Sequence, residues 1–464
     1  MTGPAPIAGY PSYPSVQAGS RLRLHVSTTA PRFRADFYRF GSPVRHMGAV
    51  EWPGEAAPGR RFDQDWGWPG FDFDVPWAWP SGVYVVVLTT GSKREADPPL
   101  DSRSARVLVI VTPPPNSRNP HILYKVPVFT YHAYNTSGGG SLYGSLRPED
   151  DPAVVRGSSI SLLRPGGGVG GGVKGMADPY DLDSPRQTFA HWDAQFLAWM
   201  EREGFAYDCC TDLDLHEGRI LSTGYALLVS AGHDEYWSAE TRRHVEQFRD
   251  SGGNLANFGA NTCWWRVRPD VDGAALRCDK FPAGAPVGAD PDTLRGAPDH
   301  WWESEPENAL TGVSYRNGGG HWSGPRRSLG FRIQYADHWV FEGTGLHEGD
   351  IIGERGALVG YECDGAAYAI DSADRAQPTG RDGTPSGFRI LGLAPLPSED
   401  AEGWQFAARE PAAGTSPQAA TLGLYRAGGT VFTAGTTDWA RLLATDSQVQ
   451  AITGNVLSRL SSRR

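Results

Sequence analysis

The sequence predicts a mixed α/β protein in three parts: an N-terminal β-sandwich, a central doubly wound parallel sheet and a β-rich C-terminal extension. Three observations carry that expectation. Leu22, Leu24 and Val26 alternate with Arg21, Arg23 and His25, the period-two signal of a half-buried strand. In the middle of the chain, short apolar runs alternate with amphipathic, helix-like segments, the order expected of a parallel sheet. Gly (58) and Pro (36) are abundant among 464 residues, which favours many turns and short strands over a helical bundle.

The elements follow in order. Residues 1–112 read as the sandwich, with further strands over Arg34 to Phe40, Gly82 to Leu88 and Ala105 to Val111. Trp66, Trp68, Trp77 and Trp79 precede the strand Gly82 to Leu88 and suit either a binding face or packing. Residues 113–120, PPPNSRNP, read as a stiff linker. Residues 121–265 form the predicted α/β domain. It opens with the apolar run Ile122 to Phe129, which ends in Thr130, Tyr131, His132, Ala133, Tyr134 and Asn135. Glycines at 138–140 and 166–172 lack the Lys-Ser/Thr of a phosphate loop and read as loop or lid. A helix over Phe189 to Glu203, with Trp192, Phe196, Trp199 and Met200 on one face, leads to a strand over Ala206 to Cys210.

Tyr225 to Ser238, YALLVSAGHDEYWS, is the stretch around which the chain is organised. An apolar run, Ala226 to Val229, is followed by Ser230-Ala231-Gly232, read as a tight turn. His233, Asp234, Glu235 and Tyr236 come next, and Ser238 is placed to cap a helix over Ala239 to Arg249. A further strand, Asn254 to Phe258, ends at Asn261. In an open α/β sheet, strand ends of this kind line a binding crevice. Tyr131, His132, Tyr134, Asp212, His233, Glu235, Tyr236 and Asn261 are therefore expected to face it. Residues 266–464 return to short strands, at Val313 to Tyr315, Phe331 to Tyr335, Trp339 to Phe341, Leu358 to Glu362 and Thr430 to Thr433. A helix over Asp446 to Ser462 closes the chain.

Composition narrows the functional classes. A net charge of -10 disfavours nucleic acid or anionic membrane as a partner. No apolar run reaches the roughly 20 residues of a membrane helix, and the first fifteen residues lack the pattern of a signal peptide. Five cysteines without paired spacing fit neither a disulfide framework nor a zinc site, so a reducing cytoplasm is the expected location. No G-x-S-x-G nucleophile elbow is present.

Several stretches resemble one family in their order along the chain. They are Gly232 to Ser238, Gly253 to Phe258, Asn261 to Trp265, His338 to Gly343, Gly435 to Trp439 and Asn455 to Leu457. Together they are similar to the N,N-dimethylformamidase large (beta) subunit-like family. The resemblance implies a class I glutamine amidotransferase-like fold for the α/β domain and an Ig-like fold for the N-terminal sandwich. It also implies an iron (Fe3+) enzyme that hydrolyses a small amide, with two tyrosinates and one glutamate as ligands, and a homo-oligomer. A hard cation prefers such anionic oxygens and polarises a carbonyl as a Lewis acid.

Carried onto this sequence, Tyr236 is the first expected ligand and Tyr134 or Tyr131 the second. Glu303 stands for the glutamate, with Glu305, Glu307, Asp290 and Asp292 as alternatives. His233, Glu235, Asn261 and His132 are the expected catalytic groups. Two other functions stay open: a tailoring enzyme with a non-hydrolytic reaction on a small molecule, and a binding protein using the Trp-rich β regions.

Overall fold

A computed structural model describes residues 6–90, 106–114, 120–143, 154–169, 187–286, 289–322, 325–397, 403–407 and 417–462, and the backbone alone of 177–178 and 181–185. Residues 115–119 of the expected linker and Gly170 to Gly172 lie outside that set. The chain divides into two compact units. One comprises Met1–Pro120, Tyr124–Thr223 and Val267–Cys278, and the other His121–Leu123, Gly224–Arg266 and Asp279–Arg464.

The first unit contains a five-stranded sheet in the order Ser15–Gln17, Arg106–Thr112, Gly82–Thr89, Arg32–Arg39, Arg45–Pro53. A three-stranded sheet runs Ile7–Pro11, Arg21–Thr28, Gly70–Asp74. Alternation decides which side chains go inward. Leu22, Leu24 and Val26 are buried against Phe33, Phe37, Val86 and Leu88, whereas Arg21 and Arg23 face out onto Asp74 and Asp72. Trp68 and Trp79 are buried, and Trp79 stacks on Tyr84 with ring centroids 5.0 Å apart. Trp77 stands exposed, so these tryptophans do not share one face.

The strand expected over Ile122 to Phe129 stops at Val126, and Val128–Tyr134 is a helix. Pro127 accounts for the change: it has no N–H for a ladder and its fixed φ suits a helix start. Tyr131, His132 and Tyr134 therefore ride on a helix instead of ending a strand. The predicted helix after Phe189 is Asp193–Arg202, and the strand Tyr207–Thr211 runs into a helix, Asp212–Glu217, that Thr211 caps. Lys125 and Asp212 form a buried ion pair, 2.8 Å long, and Asp212 also accepts the Phe129 N–H at 2.9 Å.

In the second unit the strands Leu227–His233, Asn254–Ala260 and Gly429–Thr433 lie side by side and parallel. Ala419–Ala427, Arg389–Pro395, Phe331–Ile333 and Ile351–Ile352 continue the same sheet with antiparallel neighbours. The sheet is therefore mixed, and the C-terminal strands extend it. Ser230, Ala231 and Gly232 belong to the first strand and not to a turn. The helix Ala239–Asp250 begins at Ser238, whose hydroxyl accepts the Thr241 N–H, as its sequence predicts. The final helix, Ser447–Ser461, is capped by Asp446 and buries Val449, Ile452, Val456, Leu457 and Leu460. Asn254 ties it to the sheet through a 2.8 Å bond to the Leu460 carbonyl.

Two expectations in the C-terminal region need correction. Trp339–Phe341 is a 3-10 turn, with His338 as its N-cap and Glu342 just beyond, so these two do not share a strand face. The strand expected over Leu358 to Glu362 begins where it was expected to end, as Glu362–Gly365. Among the described residues, no helix is long and apolar enough to cross a membrane.

The buried Lys125–Asp212 pair gives a stability prediction. Lys125→Met leaves a carboxylate uncompensated in the interior and should cost about 3–5 kcal/mol in urea denaturation. Adding Asp212→Asn should recover most of that loss. A single variant as stable as the wild type would mean that the ion pair contributes little.

Candidate active site

The parallel register sets His233 beside Ala260, so Asn261 is the first residue beyond the neighbouring strand. Gly232 has a φ of 67°, a left-handed conformation that glycine adopts without a Cβ penalty. Asn261 (φ 50°) and Cys263 (φ 56°) are left-handed without that freedom. Asp364 supports the turn: its carboxylate accepts the Asn261 N–H at 2.7 Å and the Thr262 N–H at 3.3 Å. Asn257 adds a 2.8 Å bond to the Thr262 hydroxyl.

Glu362 and Asp364 lie two apart on one strand and so share a face. While Asp364 holds the turn, Glu362 reaches His233, with its carboxylate 2.9 Å from Nε2. Trp322 Nε1 donates to the other Glu362 oxygen at 2.8 Å. Asn261 Nδ2 lies 3.4 Å from Glu362 and 3.3 Å from His233 Nε2. A second carboxylate, Glu235, stands 3.6 Å from the same imidazole nitrogen. His233, Glu235, Asn261, Glu362 and Asp364 are all buried.

Burial governs the electrostatics. Alone it would pull His233 down, but the Glu362 charge and hydrogen bond, followed by Glu235 and Asp292, hold the imidazole's pKa at about 9. Burial pushes Glu362 up, and the charge and hydrogen bond of His233, with Trp322 and Asn261, bring it below the ordinary carboxylate value. Asp292, which accepts the Trp264 indole N–H at 3.0 Å, is held well above that range by burial first and Asp290 next. The Tyr315 hydroxyl is raised by burial and then by Glu362 and Asp292.

The structure brings His233, Glu235 and Asn261 together and adds Glu362, Asp364 and Tyr315, which the sequence reading had not assigned to a site. One signal was available: Glu362-Cys363-Asp364 places two carboxylates at strand spacing inside an otherwise apolar and small-residue segment.

Each of the other expected residues has partners of its own. Tyr236 is buried, and its hydroxyl accepts from Lys280 Nζ at 2.7 Å. Glu303 accepts the Gly296 N–H at 2.8 and 3.0 Å and stands 3.6 Å from His300 Nδ1. Glu307 is buried and accepts the Ser314 hydroxyl. Tyr134 and His132 belong to the first unit. There the Tyr134 hydroxyl donates to Tyr143 at 3.0 Å, and His132 is pushed down to about 3 by burial and then by Arg164. Tyr131 donates to Asp193 in that unit.

The three oxygens expected to bind iron have separate partners: Tyr236 with Lys280, Tyr134 with Tyr143 and Glu303 with the Gly296 N–H. Among the described residues, no three or more His, Cys, Asp or Glu side chains are placed to hold a metal ion.

The His233–Glu362 pair predicts the pH dependence of stability. His233, raised above 6.5, stabilises the fold fully below that pH and loses its contribution as pH rises through about 9. Glu362, lowered below 4.5, contributes fully above that pH and loses its share as pH falls further. Stability from this pair is therefore greatest between pH 4.5 and 6.5. Its loss toward alkaline pH should be on the order of 2–3 kcal/mol. Denaturation midpoints at pH 5.5 and 9.5 check this, and His233→Asn should flatten the difference. An equal alkaline decline in wild type and variant would assign it to other groups.

Comparison with known proteins adds one finding. Residues 33–451 match the family described as N,N-dimethylformamidase beta subunit-like, C-terminal. The match begins inside the strand Arg32–Arg39, within the N-terminal sheets. No curated protein matches the chain. Because the match spans most of its length, the chain belongs to the N,N-dimethylformamidase beta subunit-like family.

Proposed function

We propose that this protein is an amidase that hydrolyses a small amide or related C–N bond at the His233 cluster. Family membership supports enzymatic activity in general. The observation that carries the reaction is a buried imidazole set between two carboxylates, whose charges raise its pKa above the ordinary value.

Glu235 takes a proton from water as the water oxygen adds to the carbonyl carbon. Collapse of the tetrahedral adduct breaks the C–N bond, and the leaving nitrogen receives its proton from His233. Neutral His233 then recovers a proton from Glu235, which closes the cycle. Glu362 keeps His233 charged until that transfer, and the low-dielectric surroundings strengthen each of these interactions. Glu362 is thus a positioning residue, while His233 and Glu235 handle protons. His132 and Tyr134 take no part in these steps.

No step of this mechanism is routed through the iron that the family resemblance implies. When bound, such an ion would polarise the substrate carbonyl.

Two tests follow. Against a panel of small amides, His233→Asn and Glu235→Gln should each lower kcat by about 10²–10⁴ with little change in the fold. Glu362→Gln should draw the alkaline limb of the rate profile toward lower pH. Variants with wild-type turnover would remove these residues from the chemistry. In metal analysis, Tyr236→Phe should keep the iron content of the wild-type protein, because the hydroxyl is committed to Lys280. Loss of iron in that variant would return Tyr236 to the coordination sphere.

A further inference from the structure

We propose that Trp322 is the gate to the His233 cluster: its indole turns off Glu362 to admit a small molecule to His233 and Glu235. The proposal rests on the amidase reading above for what passes the gate, and on geometry for where the gate lies. His233, Glu235, Asn261 and Glu362 are all buried, so no substrate reaches the imidazole unless a wall moves.

Most of that wall is pinned through its backbone. His233 lies in register beside Ala260, inside a parallel ladder. The Glu235 carbonyl accepts the Trp264 and Trp265 N–H groups at 2.9 and 3.0 Å. The N–H groups of Asn261 and Thr262 are held by the two oxygens of Asp364. Moving any of these would strand buried backbone groups without partners.

Trp322 differs. It is half-buried, and among the described residues its side chain makes one hydrogen bond, the 2.8 Å bond from Nε1 to Glu362. The backbone beneath the ring is fixed independently of it. Gly320 exchanges two bonds with Gln405, at 2.7 and 2.8 Å, and the His321 N–H donates to the Tyr361 carbonyl at 2.7 Å. Gly320 also permits the closed position: the indole folds back over it, and a Cβ there would stand 2.4 Å from a ring carbon. A side chain latched by one bond, over a backbone that need not move, is the part of this wall that opens most readily.

The test is access, read on the whole protein with diethyl pyrocarbonate, which acylates an unprotonated imidazole. Peptide mass spectrometry gives the rate at His233 relative to the rate at the exposed His347. In Trp322→Phe, which keeps an aromatic cover without the latch, that ratio should rise about ten- to a hundredfold. Trp322→Ala should raise it further. Losing the indole N–H leaves more of the Glu362 charge to His233, which holds its proton more tightly and slows the reagent. A faster reaction in Trp322→Phe therefore reads access. His300, buried against Trp265 and Trp302, is the guard and should stay at its wild-type rate. An unchanged or lower His233 ratio in Trp322→Phe, or a parallel rise at His300, would overturn the proposal. Turnover of acetamide is scored separately. Absence of hydrolysis with the access difference intact removes the amidase reading and leaves the gate standing.

Discussion

A charged imidazole shut away from water survives only beside an equally buried counter-charge, and the contact between His233 and Glu362 is that arrangement. Removing either partner would strand the other in a low-dielectric interior. The surroundings are consistent with this constraint. Trp322 occupies the second oxygen of Glu362, Asn261 turns its amide toward the first, and Glu235 adds a further negative charge within reach.

Secondary structure serves the cluster in two ways. Parallel neighbours bring strand ends to one edge, so the register between Leu227–His233 and Asn254–Ala260 places His233 and Asn261 together. The strand Glu362–Gly365 contributes from its first and third positions. There the two-residue period puts Glu362 and Asp364 on the same side, one for the imidazole and one for the backbone turn.

Legibility in the sequence followed how local the determinant is. The strand Arg21–Thr28 and the helices after Ser238 and Asp446 are written in alternation, caps and helical spacing, and the structure has them. His233, Glu235 and Asn261 could be singled out because each ends or follows an apolar run. Glu362, Asp364 and Tyr315 could not be placed, because their significance depends on pairing with residues far away in the chain. Val128 and Phe129 were read as the end of a strand because they continue the apolar run from Ile122, although they open the helix Val128–Tyr134. Pro127 was the decisive signal there.

The strand order of the second unit has a consequence for assembly. Leu227–His233 and Asn254–Ala260 are close in the chain, but Gly429–Thr433, which borders the latter, arrives only near its end. Glu362 and Asp364 likewise join His233 and Asn261 from more than a hundred residues further along. During synthesis the first half of the cluster therefore waits, hydrated and unpaired, until the last third of the chain is available. Imidazole protonation in the complete protein then reports that Glu362 has reached His233, because that carboxylate becomes available only with the last third of the chain.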